Sequence, residues 1–353
     1  MSTLKSGPDI TVLGGGIFGL SVAWACLKRG AKVRVIETRA IGAGSSGGIV
    51  GALAPHTPEH WKDKERFQFE SLIMARDWWP EVESISGLNS GYMRTGRLQS
   101  VIDARALELA RMRVSQADEL WQGLAHWSVV ATGQSTWEPQ SPTGWLIKDS
   151  LSAHIHPRQA VHSLAAAFEA QGGEIVIGAG DAVGQVVHAT GYQGLLDISD
   201  QLDQPFGKGV KGQAVLLDHD ARGQAQLFAD ALHIVPHGDG TVAVGSTSER
   251  EFDHPGSTDA QLDDILSRAV TAFPVLESAK VLSRWAGVRP RTKSRAPVMG
   301  VHPLQTDAFI VNGGFKIGFG MAPKMAEVMA DLILEGRDAI PDLFRPEASL
   351  RRS

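Results

Sequence analysis

Two sets of residues in this chain have types and spacings that could do chemistry. The first is Gly14, Gly16 and Gly19, a G-x-G-x-x-G run inside VLGGGIFGLSVAW, with an acid, Glu37, further on. Each residue has a physical job on a pyrophosphate. Gly14 permits a tight turn, Gly16 lets backbone approach the phosphates, and Gly19 lets a helix pack closely on a strand. The helix N-terminus offers free N–H groups and a positive dipole. Glu37 can accept hydrogen bonds from ribose hydroxyls and would repel a 2′-phosphate. The second is Arg289, in WAGVRPRTKSRAPVMG, which follows an apolar run and precedes Pro290 as if at the end of a buried strand. Arg291, Lys293 and Arg295 follow at alternate positions and read as a solvated face. An arginine near a strand end is commonly half of a structural ion pair. Its planar guanidinium also suits a carboxylate ligand, because two N–H bonds form in parallel.

The elements that must carry these residues are legible around them. Ile10 to Leu13 and Ala31 to Ile36 are β-prone runs, and the stretch between them reads as glycine turn and helix. Strand, turn, helix, strand and terminal acid together indicate an ADP-containing dinucleotide and do not separate NAD from FAD. The next segment, IGAGSSGGIVGALAPH over 41–56, brings Ser45, Ser46 and backbone amides within reach of a ligand, and its apolar second half predicts burial. Pro157 to Gln171 predicts an amphipathic helix, with Val161, Leu164, Ala165 and Phe168 on one face. The strand-like GEIVIG follows, then Val186 to His188 running into Ala189-Thr190-Gly191. Near the C-terminus DAFIVNGG predicts a strand, GFKIGFGMAP a second glycine-rich turn, and a helix is expected from about Ala322 to Gly336. Between these regions the pattern changes to glycine-broken apolar runs. His237-Gly238-Asp239-Gly240 predicts a hairpin, and Ser257 to Phe273 a helix with Thr258 and Gln261 as its capping box.

Bulk properties narrow the function classes. The chain has 353 residues, enough for two domains, and a net charge of -5, a poor match to nucleic acid. Its single cysteine, Cys26, excludes an internal disulfide and a cysteine-based zinc site, and fits a reducing, cytoplasmic compartment. The uncharged run Ile10 to Leu27 approaches the length of a membrane span, but its three consecutive glycines and the acid-ended strand after it argue against one, so no membrane span is expected. No metal site is indicated.

VLGGGIFGLSVAW, SSGGIVGALAP, IHPRQAVHSLAAAFEAQGGEI, VVHATG, HIVPHGDGTVAVGST, WAGVRPRTK and GGFKIGFGMAPKM, in this order and spacing, resemble the D-amino-acid oxidase family of flavoproteins, which includes glycine oxidase and sarcosine oxidase. The resemblance covers nearly the whole chain. It implies FAD, bound in an α/β fold: a Rossmann-type FAD-binding domain with an interleaved α+β substrate domain built on an antiparallel sheet. The expected division is 1–80, 151–200 and 285–345 for the cofactor, and 81–150 and 201–284 for the substrate. Cofactor contacts are expected from Gly14, Gly16, Ile17, Phe18 and Gly19; from Glu37 and Thr38; from Ser45, Ser46 and Gly48; from Ala189, Thr190 and Gly191; and from Gly314, Phe315, Ile317 and Gly318. The family's G-x-R-P arginine, here Arg289, pairs with the substrate carboxylate. Lys316 stands where sarcosine oxidases carry a lysine that shares it, and His233 where glycine oxidase has a tyrosine. Three departures stand out. Ser294 replaces a frequent aspartate, the link between GEIVIG and GQVVHATG is too short for a common β hairpin, and Gly287 occupies the position of the cysteine that holds the flavin of sarcosine oxidase. The FAD is therefore expected to be noncovalent.

The resemblance implies oxidation of the C–N bond of a small amino acid or N-methyl amino acid to an imine, which then hydrolyses, with oxygen or another acceptor taking the electrons. Two alternatives are an amine dehydrogenase passing electrons to a quinone or carrier protein, and a flavin-binding subunit without turnover.

Overall fold

A computed structural model describes residues 7–351. The first six residues of the expected 1–80 segment lie outside the described residues.

The first glycine motif folds around a parallel sheet. Strand Ile10–Leu13 runs beside Val33–Glu37 in register, Ile10 opposite Val33 and Leu13 opposite Ile36, and helix Ile17–Lys28 crosses between them. Strand Gln185–His188 pairs with the other side of Ile10–Leu13, and Glu174–Ile177 and Gln305–Asn312 extend the sheet in the same direction. Val298–His302 closes one edge antiparallel. The buried positions of the central strands, among them Ile10, Val12, Val33, Val35 and Val187, are apolar, as in a sheet covered on both faces. Helix Ile17–Lys28 is buried from Ile17 through Cys26 and packs against Pro157–Ala170 and Gly318–Glu335. The apolar run that approached the length of a membrane span is thus divided between a strand and a 12-residue helix. No helix among the described residues is long and apolar enough to cross a membrane.

The second sheet has eight strands, in the order Lys280–Thr292, Gly207–Asp218, Thr241–Gly245, Leu232–Pro236, Gln226–Ala229, Arg97–Ser100, Trp145–Asp149 and Trp127–Ala131. Every pairing is antiparallel except Gln226–Ala229 with Arg97–Ser100. Helix Ala260–Ala272 covers one face through Leu262, Ile265 and Ala269, which join a core with Val215, Leu217 and Val244. The architecture is a Rossmann-type unit with an interleaved α+β unit on a largely antiparallel sheet.

Three boundaries differ from the sequence reading. Helix Gly318–Glu335 starts about one turn before Ala322, its first turn closed by Met321 N–H donating to Ile317 O at 3.0 Å. Pro323 therefore lies inside the helix, where packing on helix Ile17–Lys28 outweighs the one backbone bond a proline cannot make. Helix Ala260–Ala272 is capped by Asp259, whose carboxylate accepts from Gln261 N at 3.0 Å, and not by Thr258. Arg289 does not end its strand: Lys280–Thr292 continues through Pro290, opposite Gly209, to Thr292. Residues 285–292 thus form one continuous strand with 280–284, across the expected boundary.

Candidate active site

The ends of both sheets enclose a cavity of about 1040 Å³. At one end is the first glycine turn. Gly14 has φ of +114°, and its N–H donates to Ile36 O at 2.8 Å. A Cβ there would come within 2.4 Å of Ala189 O, so only glycine is accommodated. Gly19 does not line the cavity. A Cβ on it would stand 2.0 Å from Gly14 O, which makes it the contact that seats helix on strand. Gly16 does line the cavity, and a Cβ on it would meet only Ser46 Oγ, at 3.2 Å. The Ser46 hydroxyl accepts from Ile17 N–H at 3.0 Å and so ties the 41–56 segment to the helix start. At the lip, the Glu37 carboxylate accepts from Gly15 N–H and Arg39 N–H, both at 2.9 Å. A bare backbone cradle, a helix start and a fixed acid in one large cavity fit the ADP half of FAD.

Thr38, Ser45, Gly48, Ile17, Phe18, Ala189, Thr190, Gly191, Gly314, Phe315 and Gly318 line the same cavity. Ile317 does not; it caps helix Gly318–Glu335 and packs on the core. The second glycine turn is held by Phe315 N–H donating to Pro290 O at 3.0 Å. Phe315 takes φ of +44°, an uncommon conformation for a side chain of its size. Its ring lies 5.1 Å from the Arg291 guanidinium, which gives one of the expected solvated cations an aromatic partner.

The second end of the cavity collects Arg289, Lys316 and His233. Arg289 leaves strand Lys280–Thr292 opposite Val210, and its guanidinium rests on Gly212, where a Cβ would lie 2.0 Å from Nη1. It donates Nη2–H to Ser246 Oγ at 2.6 Å and Nη1–H to Thr247 O at 3.2 Å. Both partners are neutral, and Arg289 forms no ion pair among the described residues. Burial lowers its pKa to about 10, with the Glu249 carboxylate acting the other way. Lys316 is exposed at the cavity edge; desolvation, then the charges of Arg289 and Arg291, hold its pKa below the usual lysine value. His233 lies within strand Leu232–Pro236, not in the hairpin turn, with its ring 4.8 Å from Phe228. Burial, then Arg97 and Lys316, push its pKa to about 3, so it stays neutral. Among the described residues, Glu37 and Asp197 are the carboxylates that line the cavity.

Several lining residues carried no sequence signal of a role: Ser246, Tyr192, Phe228 and Trp285. Trp285 was legible only as part of an apolar run. Its ring covers Gly287, where a Cβ would fall 2.4 Å from Cζ2, so a side chain at that position would displace it. Cys26 is fully buried in helix Ile17–Lys28 and its thiol pKa is pushed up to about 12, as expected of a packing residue.

A model of the DAO family, described as FAD dependent oxidoreductase, matches residues 9–332. The chain belongs to this family, and its cofactor is FAD. It is 26% identical over 348 residues to a bifunctional ThiO/ThiG protein of Trichormus variabilis, covering 93% of this chain and 53% of that one. The chain thus spans about half the length of those bifunctional relatives. A glycine oxidase of Bacillus licheniformis is 26% identical over 365 residues, with 92% of this chain and 93% of the relative covered. Among solved structures, glycine oxidase from Bacillus cereus superposes with a TM-score of 0.82 at 20% identity, covering 98% of this chain and 99% of that one.

Proposed function

We propose that this chain oxidises the C–N bond of a small amino acid or N-methyl amino acid to an imine, which water then splits into an oxo acid and an amine. The observation that carries the reading is Arg289, a buried cation whose protein partners are both neutral, at the end of the cavity away from the pyrophosphate cradle. A buried charge is costly without a counter-charge, and a substrate carboxylate would supply it. Relatives named glycine oxidase, at 26% and 23% identity, support the reading.

FAD, when bound, would take the hydride equivalent from the α-carbon and pass the electrons to molecular oxygen. The chain's own part is to bind and orient. Arg289 would hold the carboxylate by its remaining N–H donors, and Lys316 would assist from the cavity edge. That fixes the α-carbon relative to the second glycine turn, a positioning effect. Helix Gly318–Glu335 begins at that turn, so its positive end favours negative charge there. His233, held neutral, offers a hydrogen-bonding edge without adding a third charge. No base is required if the substrate amine arrives uncharged. Residues 1–80, 151–200 and 285–345 would serve the cofactor, and 81–150 with 201–284 the substrate, with strand Lys280–Thr292 shared between them.

The test is a panel of amino acids and N-methyl amino acids, scored anaerobically for loss of the yellow colour and aerobically for peroxide. Bleaching and peroxide with one of them is the expected result. Bleaching without peroxide would replace oxygen by another acceptor. No bleaching with any of them would contradict the reading.

A further inference from the structure

We propose that Glu249 is a positioning residue for Arg289: its carboxylate anchors the Ser246–Glu249 turn, whose Ser246 and Thr247 aim the guanidinium at the substrate carboxylate. The inference rests on the reading of Arg289 given above.

Lys211, Gln213, Thr247 and Glu249 are exposed by only 3%, 0%, 8% and 8%. Burying four polar side chains together is unfavourable unless their atoms are bonded to one another. Here they are. Glu249 Oε1 accepts from the Thr247 hydroxyl and from Gln213 Nε2 at 3.0 Å. Glu249 Oε2 lies 3.3 Å from Lys211 Nζ. The Thr247 hydroxyl also accepts from Gln213 N–H at 2.8 Å, and Thr247 N–H donates to Gln213 O at 3.3 Å. Gln213 Nε2 reaches Asp259 Oδ1 at 2.9 Å, which ties the turn to the cap of helix Ala260–Ala272. The backbones of Lys211 and Glu249 exchange both of their bonds at 2.9 Å.

This leaves Thr247 with one outlet. Its N–H and hydroxyl are spent on Gln213 and Glu249, and its carbonyl accepts Arg289 Nη1–H. Ser246, one residue earlier, accepts Nη2–H. Two neutral acceptors therefore fix the plane of the guanidinium, and Gly212 lets it lie flat against the strand. A carboxylate in direct contact would aim the arginine equally well but would compete with the substrate. Glu249 instead stays one hydrogen bond removed, acting through Thr247.

A purely structural alternative is that Glu249 only compensates the buried Lys211. Two variants of the FAD-loaded enzyme separate these roles. Glu249→Gln keeps an oxygen for Thr247 and Gln213 but leaves Lys211 only the half-exposed Asp259 carboxylate, 3.4 Å away, as a counter-charge. The pair Lys211→Met with Glu249→Leu removes both charges and the anchor. The probe is acetate, followed through the change in flavin absorbance, together with kcat and KM for an amino-acid substrate and its decarboxylated amine.

Glu249→Gln should lower Tm yet keep acetate affinity within about threefold, since the bonds that set geometry persist. The double variant should weaken acetate and raise the amino-acid KM by about tenfold, with kcat and the amine little changed. If the double variant does not fold, Thr247→Val carries the test, because it cuts the link from Glu249 to the turn and leaves the Lys211 pair intact; the same tenfold loss is expected. Unchanged acetate binding in the double variant or in Thr247→Val overturns the proposal, as does a Glu249→Gln loss equal to that of the double variant. Arg289→Leu is the control. If it leaves acetate binding unchanged, the reading of Arg289 fails and this inference with it; if it weakens acetate while the anchor variants do not, this inference alone fails.

Discussion

Arg289 and Gly212 pack as a pair at the scale of single residues. The guanidinium occupies the volume where a Cβ on residue 212 would stand. Gly212→Ala should therefore push Arg289 out of line and lower kcat/KM for a carboxylated substrate by about 10- to 100-fold, the range expected for losing a charge-assisted pair. FAD absorbance should be retained, because the substitution lies in a strand away from the pyrophosphate cradle; loss of flavin would show that the contact is structural. The protonation chemistry is set at the same scale. His233 is pushed to about 3 and cannot serve as a base of useful strength near neutrality. The rate of flavin reduction at low substrate should then rise with pH and level off near the amine pKa of each substrate. The check is to compare two substrates whose amine pKa values differ. A common midpoint for both would mean that a protein group titrates, with Lys316 the first to examine, since its pKa is already lowered.

At the scale of elements, the first glycine turn separates two jobs that sequence spacing alone runs together. Gly19 holds helix to strand, while Gly16 lines the cavity. Gly19→Ala should disrupt the strand–turn–helix itself, giving little soluble protein. Gly16→Val should fold, with an unchanged far-ultraviolet spectrum, but bind FAD at least about tenfold more weakly, because its side chain enters the pyrophosphate's space. Equal flavin affinity in Gly16→Val would remove the turn from the cofactor site. This motif was legible because its strand, turn, helix and second strand follow one another without a break in the chain, and the hairpin at 237–240 and helix Pro157–Ala170 were legible for the same local reason. The start of helix Gly318–Glu335 was not, since a proline reads locally as a first-turn residue and only packing on a second helix carries the element through it. The partners of Arg289 were not legible either. Ser246 and Thr247 come from 43 and 42 positions away, brought over by sheet pairing that no local window contains. The G-x-R-P context located the arginine, and the resemblance supplied its role; the network that aims it belongs to tertiary structure alone.

At the scale of the whole molecule, histidines held neutral predict how the fold responds to acid. Among the described residues, neither ring nitrogen of the fully buried His154 has a partner, and the His237 ring bonds Ile49 O alone, at 2.9 Å. Burial, then a neighbouring histidine, lowers His154, His237 and His302 to about 4. An unfolded histidine titrates near 6.5, so between about 6.5 and about 4 the unfolded chain binds more protons than the native one. Stability is therefore full above that window and is lost as pH falls through it. Tm of the FAD-loaded protein should be level near neutrality and drop progressively below a pH of about 6.5; a level Tm down to about 4.5 would mean that these rings can charge in place.

The cavity joins the two sheets, and the central claim is that it holds FAD along the first glycine turn and the carboxylate of an amino-acid substrate at Arg289. The most direct test is rapid anaerobic mixing of wild type, Arg289→Leu and Lys316→Met with an amino acid found active and with the amine that lacks its carboxylate, following loss of flavin absorbance. Arg289→Leu should reduce the efficiency of flavin reduction by the amino acid about 10²-fold and Lys316→Met by less, with FAD still bound in both. The amine should be a poor reductant of the wild type and be little changed by Arg289→Leu. Equal losses on the amino acid and the amine, or loss of bound flavin in Arg289→Leu without a selective effect on the carboxylated substrate, would contradict the account.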